Sequence, residues 1–161
     1  MLTSKSFPVR RALVLLLAAI GLTLALASSG TAASQATPRG DRLIIPRLHL
    51  NVPLGTSVND GPAFYPGSGR PGEPYTIAIA GHRTTHTRPF WSLDVLTKGD
   101  QIMIVTRRAR HVYVVSSVRV VAPSDWSIAR ERGYERVILT TCTPRFSARQ
   151  RLVVFASVVG V

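Results

Sequence analysis

Three side chains of different chemistry, Cys142, His82 and Arg151, could together perform acyl transfer. Cys142 is the single cysteine of this 161-residue chain, so it cannot form a disulfide within the chain. A thiol has an ordinary pKa near ~8.5 and is mostly protonated at neutral pH, so a nucleophilic cysteine needs a nearby base or positive charge. His82 is the candidate base. The guanidinium of Arg151 suits an oxyanion formed by attack on a carbonyl.

Each of the three lies beside an apolar run that predicts a strand. His82 follows the run 76–80 and one glycine, and Cys142 ends the run 137–141. If these two strands are neighbours, both side chains emerge at one rim of the sheet. Arg151 begins the last apolar run, and its separation from Cys142 fits a hairpin that returns the chain to the same end.

Other interpretations of these residues remain open. A single cysteine at a strand end is often a small buried hydrophobe, and His82 could be a structural histidine. Arg149 would share a strand face with Arg151, so spacing alone leaves two candidate arginines. His82 and His86 have the spacing of helical zinc ligands, but no Glu stands between them and no helix is indicated. We expect no metal and no cofactor.

The periodicity of the chain after residue 40 predicts an all-β domain. Short runs rich in Val, Ile, Tyr and Thr alternate with Pro, Gly and Asp, which excludes a helical bundle. Strands so close in sequence favour an antiparallel barrel or sandwich, because parallel pairing needs long crossovers. Residues 107–110 predict a charged hairpin tip, and 89–96 and 127–132 one or two helical turns each. The predicted strands are 42–45, 75–80, 101–106, 111–121, 137–141 and 152–158, with weaker ones near Val52 and Ala63.

The N-terminal segment predicts export from the cytoplasm. A basic tail, 1–11, precedes an uncharged Leu/Ala-rich stretch, and the favoured interpretation is a signal anchor over 12–33 that holds the tail in the cytoplasm. Small residues before Ser28 also fit a cleaved signal peptide and a secreted protein. A linker, 34–40, then leads to one extracytoplasmic catalytic domain, 41–161.

Charge restricts the class of partner. The chain carries a formal net charge of +12, and without Lys5, Arg10 and Arg11 there remain 17 basic against 8 acidic residues, or about +9. Such a surface attracts polyanions. The arginines are scattered and aromatics are sparse, which disfavours nucleic acid. Anionic lipid headgroups or an anionic wall polymer suit an exported domain better, and a bias of codon composition explains the arginines equally well.

The motifs around the candidate residues resemble those of sortases. The segment 138–142, Ile-Leu-Thr-Thr-Cys, is similar to the T-L-x-T-C signature of that family, and Arg151 falls where sortases carry their active-site arginine. His82 within 80–85, Ala-Gly-His-Arg-Thr-Thr, resembles the histidine segment of the class E sortases of actinobacteria. The similarity extends over essentially the whole domain through Ile45-Pro46, Tyr65-Pro66-Gly67 and Pro89-Phe90.

The resemblance implies an eight-stranded closed sortase-type β-barrel, a membrane anchor and a cysteine transpeptidase. Cys142 would attack between Thr and Gly of a Leu-Pro-x-Thr-Gly or Leu-Ala-x-Thr-Gly sorting signal on an exported protein, giving a thioester. His82 would act as general acid and then base, and Arg151 would hold the oxyanion. A cell-wall precursor amine of the lipid II type would resolve the thioester.

The resemblance also implies residues that contact the sorting signal. Thr141 is a candidate for lining the oxyanion pocket, and the loop with Thr84, Thr85 and His86 is implied to select the signal. Class E members often carry Tyr where this chain has His86, which leaves the preferred signal open. No Asp-Pro-aromatic lid is found in 28–42, which favours general protein anchoring over pilus assembly. Two alternatives remain, a cysteine hydrolase that uses water as acceptor and a noncatalytic wall-associated binding domain.

Overall fold

A computed structural model describes residues 40–158, and eight strands form one curled sheet within them. The expected all-β fold is confirmed, and both weaker strands are present. The sequence segments 1–11, 12–33 and most of the linker lie outside the described residues. The strands are β1 Arg42–Ile45, β2 Leu50–Pro53, β3 Ala63–Phe64, β4 Thr76–Ala80, β5 Gln101–Val105, β6 Arg110–Val121, β7 Arg136–Thr143 and β8 Gln150–Val158.

The strand order is β2-β1-β5-β6-β8-β7-β4-β3, and the β4–β7 pair is parallel. The expectation of antiparallel pairing throughout is therefore wrong for this pair, which runs from Thr76 opposite Arg136 to Ala80 opposite Thr140. The long crossover that parallel strands require is present, but β5 and β6 supply it instead of a helix. The parallel arrangement brings the C-terminal ends of β4 and β7 to the same rim.

The two edge strands of the curled sheet meet at one point. Gly55, two residues beyond β2, forms an isolated bridge with Ala63 of β3. Two backbone hydrogen bonds support it, from Gly55 N to Pro62 O at 2.9 Å and from Phe64 N to Gly55 O at 3.2 Å. The eight strands thus curl into a barrel-like form whose edges are joined by a bridge instead of a continuous ladder.

Strands β4, β7 and β8 are buried on both faces. Alternate residues of a strand point to opposite faces, so Val137 and Leu139 of β7 enter the main core while Ile138 faces outward. Ile138 forms a second cluster with Ala78 and Val153, against which the partly buried side chain of Ile128 packs. The same alternation places Cys142 on the outer face, four residues beyond Ile138.

Short 3₁₀ helices connect several of the strands. The predicted turns at 89–96 and 127–132 correspond to Leu93–Val95 and Trp126–Ala129, and a third at Pro46–Leu48 was not expected. The predicted hairpin tip is also present, because β5 and β6 are joined by a turn closed by Thr106 N donating to Ala109 O at 2.8 Å. Between residues 40 and 158, none of the helices has the length and apolar character to cross a membrane.

Candidate active site

Cys142 lies directly opposite Arg151 in the antiparallel β7–β8 ladder. Directly opposed residues of such a ladder have their Cβ atoms ~4.5–5.5 Å apart and project from the same face. The thiol is free and partly buried. Arg149 precedes the first residue of β8 and is exposed. The ladder register therefore places Arg151, and not Arg149, beside Cys142, a choice that sequence spacing alone left open.

His82 reaches the same rim from the neighbouring strand. The parallel register ends at Ala80 opposite Thr140, and Gly81 N continues it by donating to Thr140 O at 3.1 Å. His82 and Cys142 each lie two residues beyond the paired Ala80 and Thr140, so they reach the same height at the rim. Thr141 Oγ1 donates to Gly81 O at 2.7 Å and holds the turn before His82 against β7.

Gly81 is required at this turn for steric reasons. A Cβ atom at this position would lie 2.6 Å from Cδ2 of Phe90, whose ring is fully buried. Phe90 N donates in turn to His82 O at 3.2 Å. The glycine therefore lets the loop that carries His82 pack directly on the core.

One cleft of about 140 Å³ contains all three predicted catalytic residues. His82, Cys142 and Arg151 lie along its wall with Thr141. The sequence motifs therefore identified side chains that the fold brings together from three strand ends. The remaining lining residues are Val58, Tyr65, Ala80, Gly81 and Thr140.

The imidazole of His82 has polar contacts at both nitrogens. Thr85 Oγ1 lies 3.0 Å from Nδ1, and Asn59 Oδ1 lies 3.4 Å from Nε2. These contacts fit a neutral ring in which Thr85 donates to Nδ1 and Nε2 donates to Asn59. The ring of His86 stacks on that of His82 with centroids 4.3 Å apart and an angle of 15°. Burial lowers the pKa of His82, and the charge of His86 lowers it further.

Of the four residues expected to contact the sorting signal, one lines the cleft and three do not. Thr141 lines the cleft, although its hydroxyl is used by Gly81. Thr85 and His86 contact the His82 ring and do not line the cleft. Thr84 is partly buried and, among residues 40–158, its side chain makes no hydrogen bond.

Arg83 is a site residue that the sequence analysis did not single out. Its side chain is 4% exposed; Nη1 donates to Thr143 Oγ1 at 2.8 Å, and Nη2 lies 2.8 Å from Asp94 Oδ2. Asp94 also pairs with Arg145 at 3.2 Å. This network ties the loop after β4 to the end of β7, next to Cys142. Its only sequence signal is an arginine beside His82, because nothing in the sequence marks Asp94 as its partner.

The cleft continues into a longer groove along β4 and β7. Tyr65 OH lies 3.0 Å from Thr140 Oγ1, and both residues also line an adjoining cavity of about 230 Å³. The floor of that cavity includes Ala78 and Ile138, and Ile128 lies on its side. The outer face therefore offers an extended, largely apolar surface that ends at Cys142.

No metal ligand set accompanies the cleft. In the part of the chain that the structure describes, no three His, Cys, Asp or Glu side chains are grouped to hold a metal ion.

The fold and the cleft are those of the sortase family. Residues 43–159 match the Sortase domain family, and the chain belongs to it. Two relatives from Streptomyces coelicolor show the class E character expected from the motifs. Sortase SrtE1 is 34% identical over 92 residues, covering 52% of this chain and 26% of the relative. Sortase SrtE2 is 32% identical over 130 residues, covering 67% and 50%.

Solved structures agree with this assignment. Sortase E1 from Streptomyces coelicolor, crystallised with a tripeptide in the active site, superposes with a TM-score of 0.68 at 30% identity, covering 74% of this chain and 87% of that one. Sortase C-1 from Actinomyces oris gives 0.70 at 28% identity, covering 75% and 74%. The chain spans between about a quarter and a half of the length of the two Streptomyces relatives.

Proposed function

We propose that this chain is a transpeptidase that cleaves a Leu-Pro-x-Thr-Gly or Leu-Ala-x-Thr-Gly sorting signal between Thr and Gly. The observation that carries the proposal is the direct opposition of Cys142 and Arg151 across β7 and β8, with His82 on the wall of the same cleft. A nucleophile, a proton carrier and a fixed cation are the groups that acyl transfer through a thioester needs.

In the acylation step, Cys142 passes its thiol proton to neutral His82, and Sγ attacks the threonine carbonyl carbon and forms a C–S bond. Arg151 stabilises the negative charge that develops on the carbonyl oxygen, because guanidinium remains protonated at every relevant pH. The C–N bond then breaks, and His82 donates a proton to the departing glycine amine. The products of this half-reaction are a thioester on Cys142 and the released C-terminal tail.

In the deacylation step, an amine of a cell-wall precursor attacks the thioester carbonyl. His82, left neutral by the first step, removes the proton from the incoming amine, and Sγ leaves as the thiolate. The lowered pKa of His82 favours the neutral ring at rest.

The groove supports binding of an extended peptide. Its apolar floor on β4 and β7 ends at Cys142, so the residues of a sorting signal that precede the scissile bond would lie along Ile138 and Ala78. The related Sortase E1 was crystallised with a tripeptide in its active site, which fits a peptide in this position. His86 would act on the signal through the His82 loop.

The partners follow from this reaction. The donor is an exported protein with a C-terminal sorting signal, and the acceptor is a wall precursor amine of the lipid II type. A signal anchor over 12–33 would hold the catalytic domain on the outer side of the cell membrane, where both substrates are found.

Peptide transfer tests the proposal directly. The full-length chain is incubated with each of the two signal peptides, with and without a small amine, and the products are weighed by mass spectrometry. We expect an acyl-enzyme on Cys142, release of the Gly-bearing tail and transfer to the amine. Cys142→Ala should abolish all three. Cleavage without transfer at saturating amine would identify a hydrolase, and undiminished activity of Cys142→Ala would exclude both enzyme mechanisms.

A further inference from the structure

A second polar pocket lies on the outer face of the sheet and shares no lining residue with the Cys142 cleft. It has a volume of about 280 Å³ and lies between β6, β8 and the segment 125–136. Three arginines line it, Arg119, Arg132 and Arg136. The transpeptidase chemistry uses none of them.

A β-bulge in β6 shapes one side of this pocket. The β6–β8 register pairs Val115 with Ala156 and then Ser117 with Phe155, so Ser116 is an extra residue. A bulge redirects the side chains that follow it, and here both consecutive serines line the pocket, which a regular strand would not permit. Because of the shift, Arg119 also lies on the outer face.

Arg136 places a buried cation in the pocket wall. It is 8% exposed, and its guanidinium donates to three neutral acceptors, Thr76 Oγ1 at 2.9 Å, Ile128 O at 2.9 Å and Arg130 O at 2.8 Å. Between residues 40 and 158, no carboxylate lies within ion-pair distance of it. Burial lowers the pKa of Arg136, Tyr134 opposes the shift, and of the smaller effects the charge of Arg132 lowers the pKa and that of Glu131 raises it.

The other two arginines are also without carboxylate partners in the described part of the chain. The guanidinium carbon of Arg119 lies 5.5 Å from the centre of the Phe155 ring, and that of Arg136 lies 6.0 Å from it, so one ring contacts both cations. An anion in the pocket would offset the mutual repulsion of these like charges.

The nearby carboxylates have other partners. Asp125 is the single acidic residue in the lining, and its Oδ1 accepts from both the backbone N and the hydroxyl of Ser127. Glu131 accepts from Thr76 N at 2.8 Å and lines the groove beside Cys142 instead. The lining therefore carries three cations against one carboxylate, of which Oδ1 is held by Ser127.

We propose that this pocket binds a phosphate group, carried either by a soluble phosphate compound or by a lipid headgroup. Arg119 and Arg132 can each pair with phosphate oxygens through two parallel hydrogen bonds, as guanidinium groups do. Arg136, whose Nε and Nη2 already bond neutral acceptors, adds its charge and the hydrogens of Nη1. Ser117 and Ser157 add hydroxyl groups that make no hydrogen bond to the described residues. The pocket is larger than one phosphate, so the glycerol or sugar that bears it also fits.

Calorimetric titration of the full-length chain with inorganic phosphate and with glycerol 3-phosphate tests the proposal. We expect one saturable site, and Arg119→Ala with Arg132→Ala should weaken it at least about tenfold. Both arginines are exposed, so the double variant should fold normally. Arg107→Ala with Arg108→Ala removes the same charge from the β5–β6 turn and should leave the affinity unchanged. Binding that does not saturate, or equal losses in both double variants, would overturn the proposal.

Vesicle flotation identifies the source of the phosphate. Vesicles of phosphatidylglycerol and of phosphatidylcholine are compared with the wild-type chain and with both double variants. Loss of the preference for phosphatidylglycerol in the Arg119/Arg132 variant alone assigns the pocket to a lipid headgroup. Unchanged vesicle binding, together with the loss of glycerol 3-phosphate binding, assigns it to a soluble phosphate compound.

Discussion

Cys142 and Arg151 form the penultimate pair of the β7–β8 ladder, which ends at Thr143 opposite Gln150. The pair therefore lies at the rim, where the sheet gives way to a turn. Arg151 Nη1 donates to Ala148 O at 3.0 Å and to Gln150 O at 3.2 Å, so the turn itself orients the guanidinium. The other donors of the guanidinium remain available for a substrate oxygen.

Arg151→Lys should lower kcat/KM for the sorting peptide by about 100-fold to 1,000-fold. A lysine keeps the charge but lacks the planar fork that can bond the turn carbonyls and an oxyanion together. Arg149→Lys is the matched control, since Arg149 lies two residues away and outside β8, and it should change kcat/KM by less than about threefold. Comparable losses of kcat/KM in the two variants would show that the position of Arg151 opposite Cys142 is not what makes it necessary.

His86→Asn should raise the pKa of His82. Stacking places a second ionisable ring 4.3 Å from the first, and its positive charge disfavours protonation of His82. Removing that ring relieves the repulsion, so His82 titrates at higher pH. The acidic limb of kcat/KM against pH should move in the same direction if neutral His82 is required.

NMR titration of the imidazole resonances measures this shift. His49→Asn is the control because His49 has a similar left-handed backbone, with φ of 51° against 54° for His86, and does not line the cleft. Asn tolerates this conformation. An unchanged His82 titration in His86→Asn would show that the stacked ring has no electrostatic effect on it.

The sequence predicted the strands and the three cleft residues because local signals encode them. Runs of β-branched residues define β4, β7 and β8, and the nine-residue separation of Cys142 and Arg151 correctly suggested a hairpin. The parallel β4–β7 pair was missed because the pairing of strands separated by 55 residues of chain, 81–135, depends on the packing of the whole sheet. Local periodicity contains no information about such pairs.

The Arg83–Asp94 pair and the bulge in β6 could not be predicted from the sequence either. Arg83 and Asp94 are ordinary charged residues in sequence, and only the folding of the β4–β5 connection back on itself makes them partners. The bulge at Ser116 lies within a run that reads as one continuous strand, since apolar residues occupy both faces on either side of it. A bulge of this kind adds a residue without changing the composition that marks the strand.

Asp94→Asn should destabilise the protein by about 2 kcal/mol, because it leaves the guanidinium of Arg83 buried without its carboxylate. Asp94 itself is 40% exposed, which keeps the loss below that of a fully buried pair. Arg145→Gln removes the exposed bridge to the same carboxylate together with hydrogen bonds to Trp91 O, and should cost less than about 1 kcal/mol because the side chain is 38% exposed. Urea unfolding gives both values. Equal losses would mean that burial of Arg83 does not strengthen its ion pair.

Gly81→Ala should destabilise the fold by about 1–3 kcal/mol, because the added methyl group overlaps the Phe90 ring. The loop must then move away from the core, which displaces His82, and kcat/KM should fall at least about tenfold. Gly55→Ala is the control, since a Cβ there meets nothing nearer than 3.8 Å. Urea unfolding and peptide cleavage are measured on both variants.

A double variant separates the steric cause from any effect of the glycine backbone. Phe90→Leu alone should cost about 1–2 kcal/mol through the loss of buried area. Combined with Gly81→Ala, the shorter leucine can turn away from the new methyl group. The loss of stability in the double variant should therefore be smaller than the sum of the two single losses by at least about 0.5 kcal/mol. Part of the activity should return as His82 regains its place beside Cys142. Strict additivity of the unfolding free energies would show that contact with Phe90 is not what requires glycine at position 81.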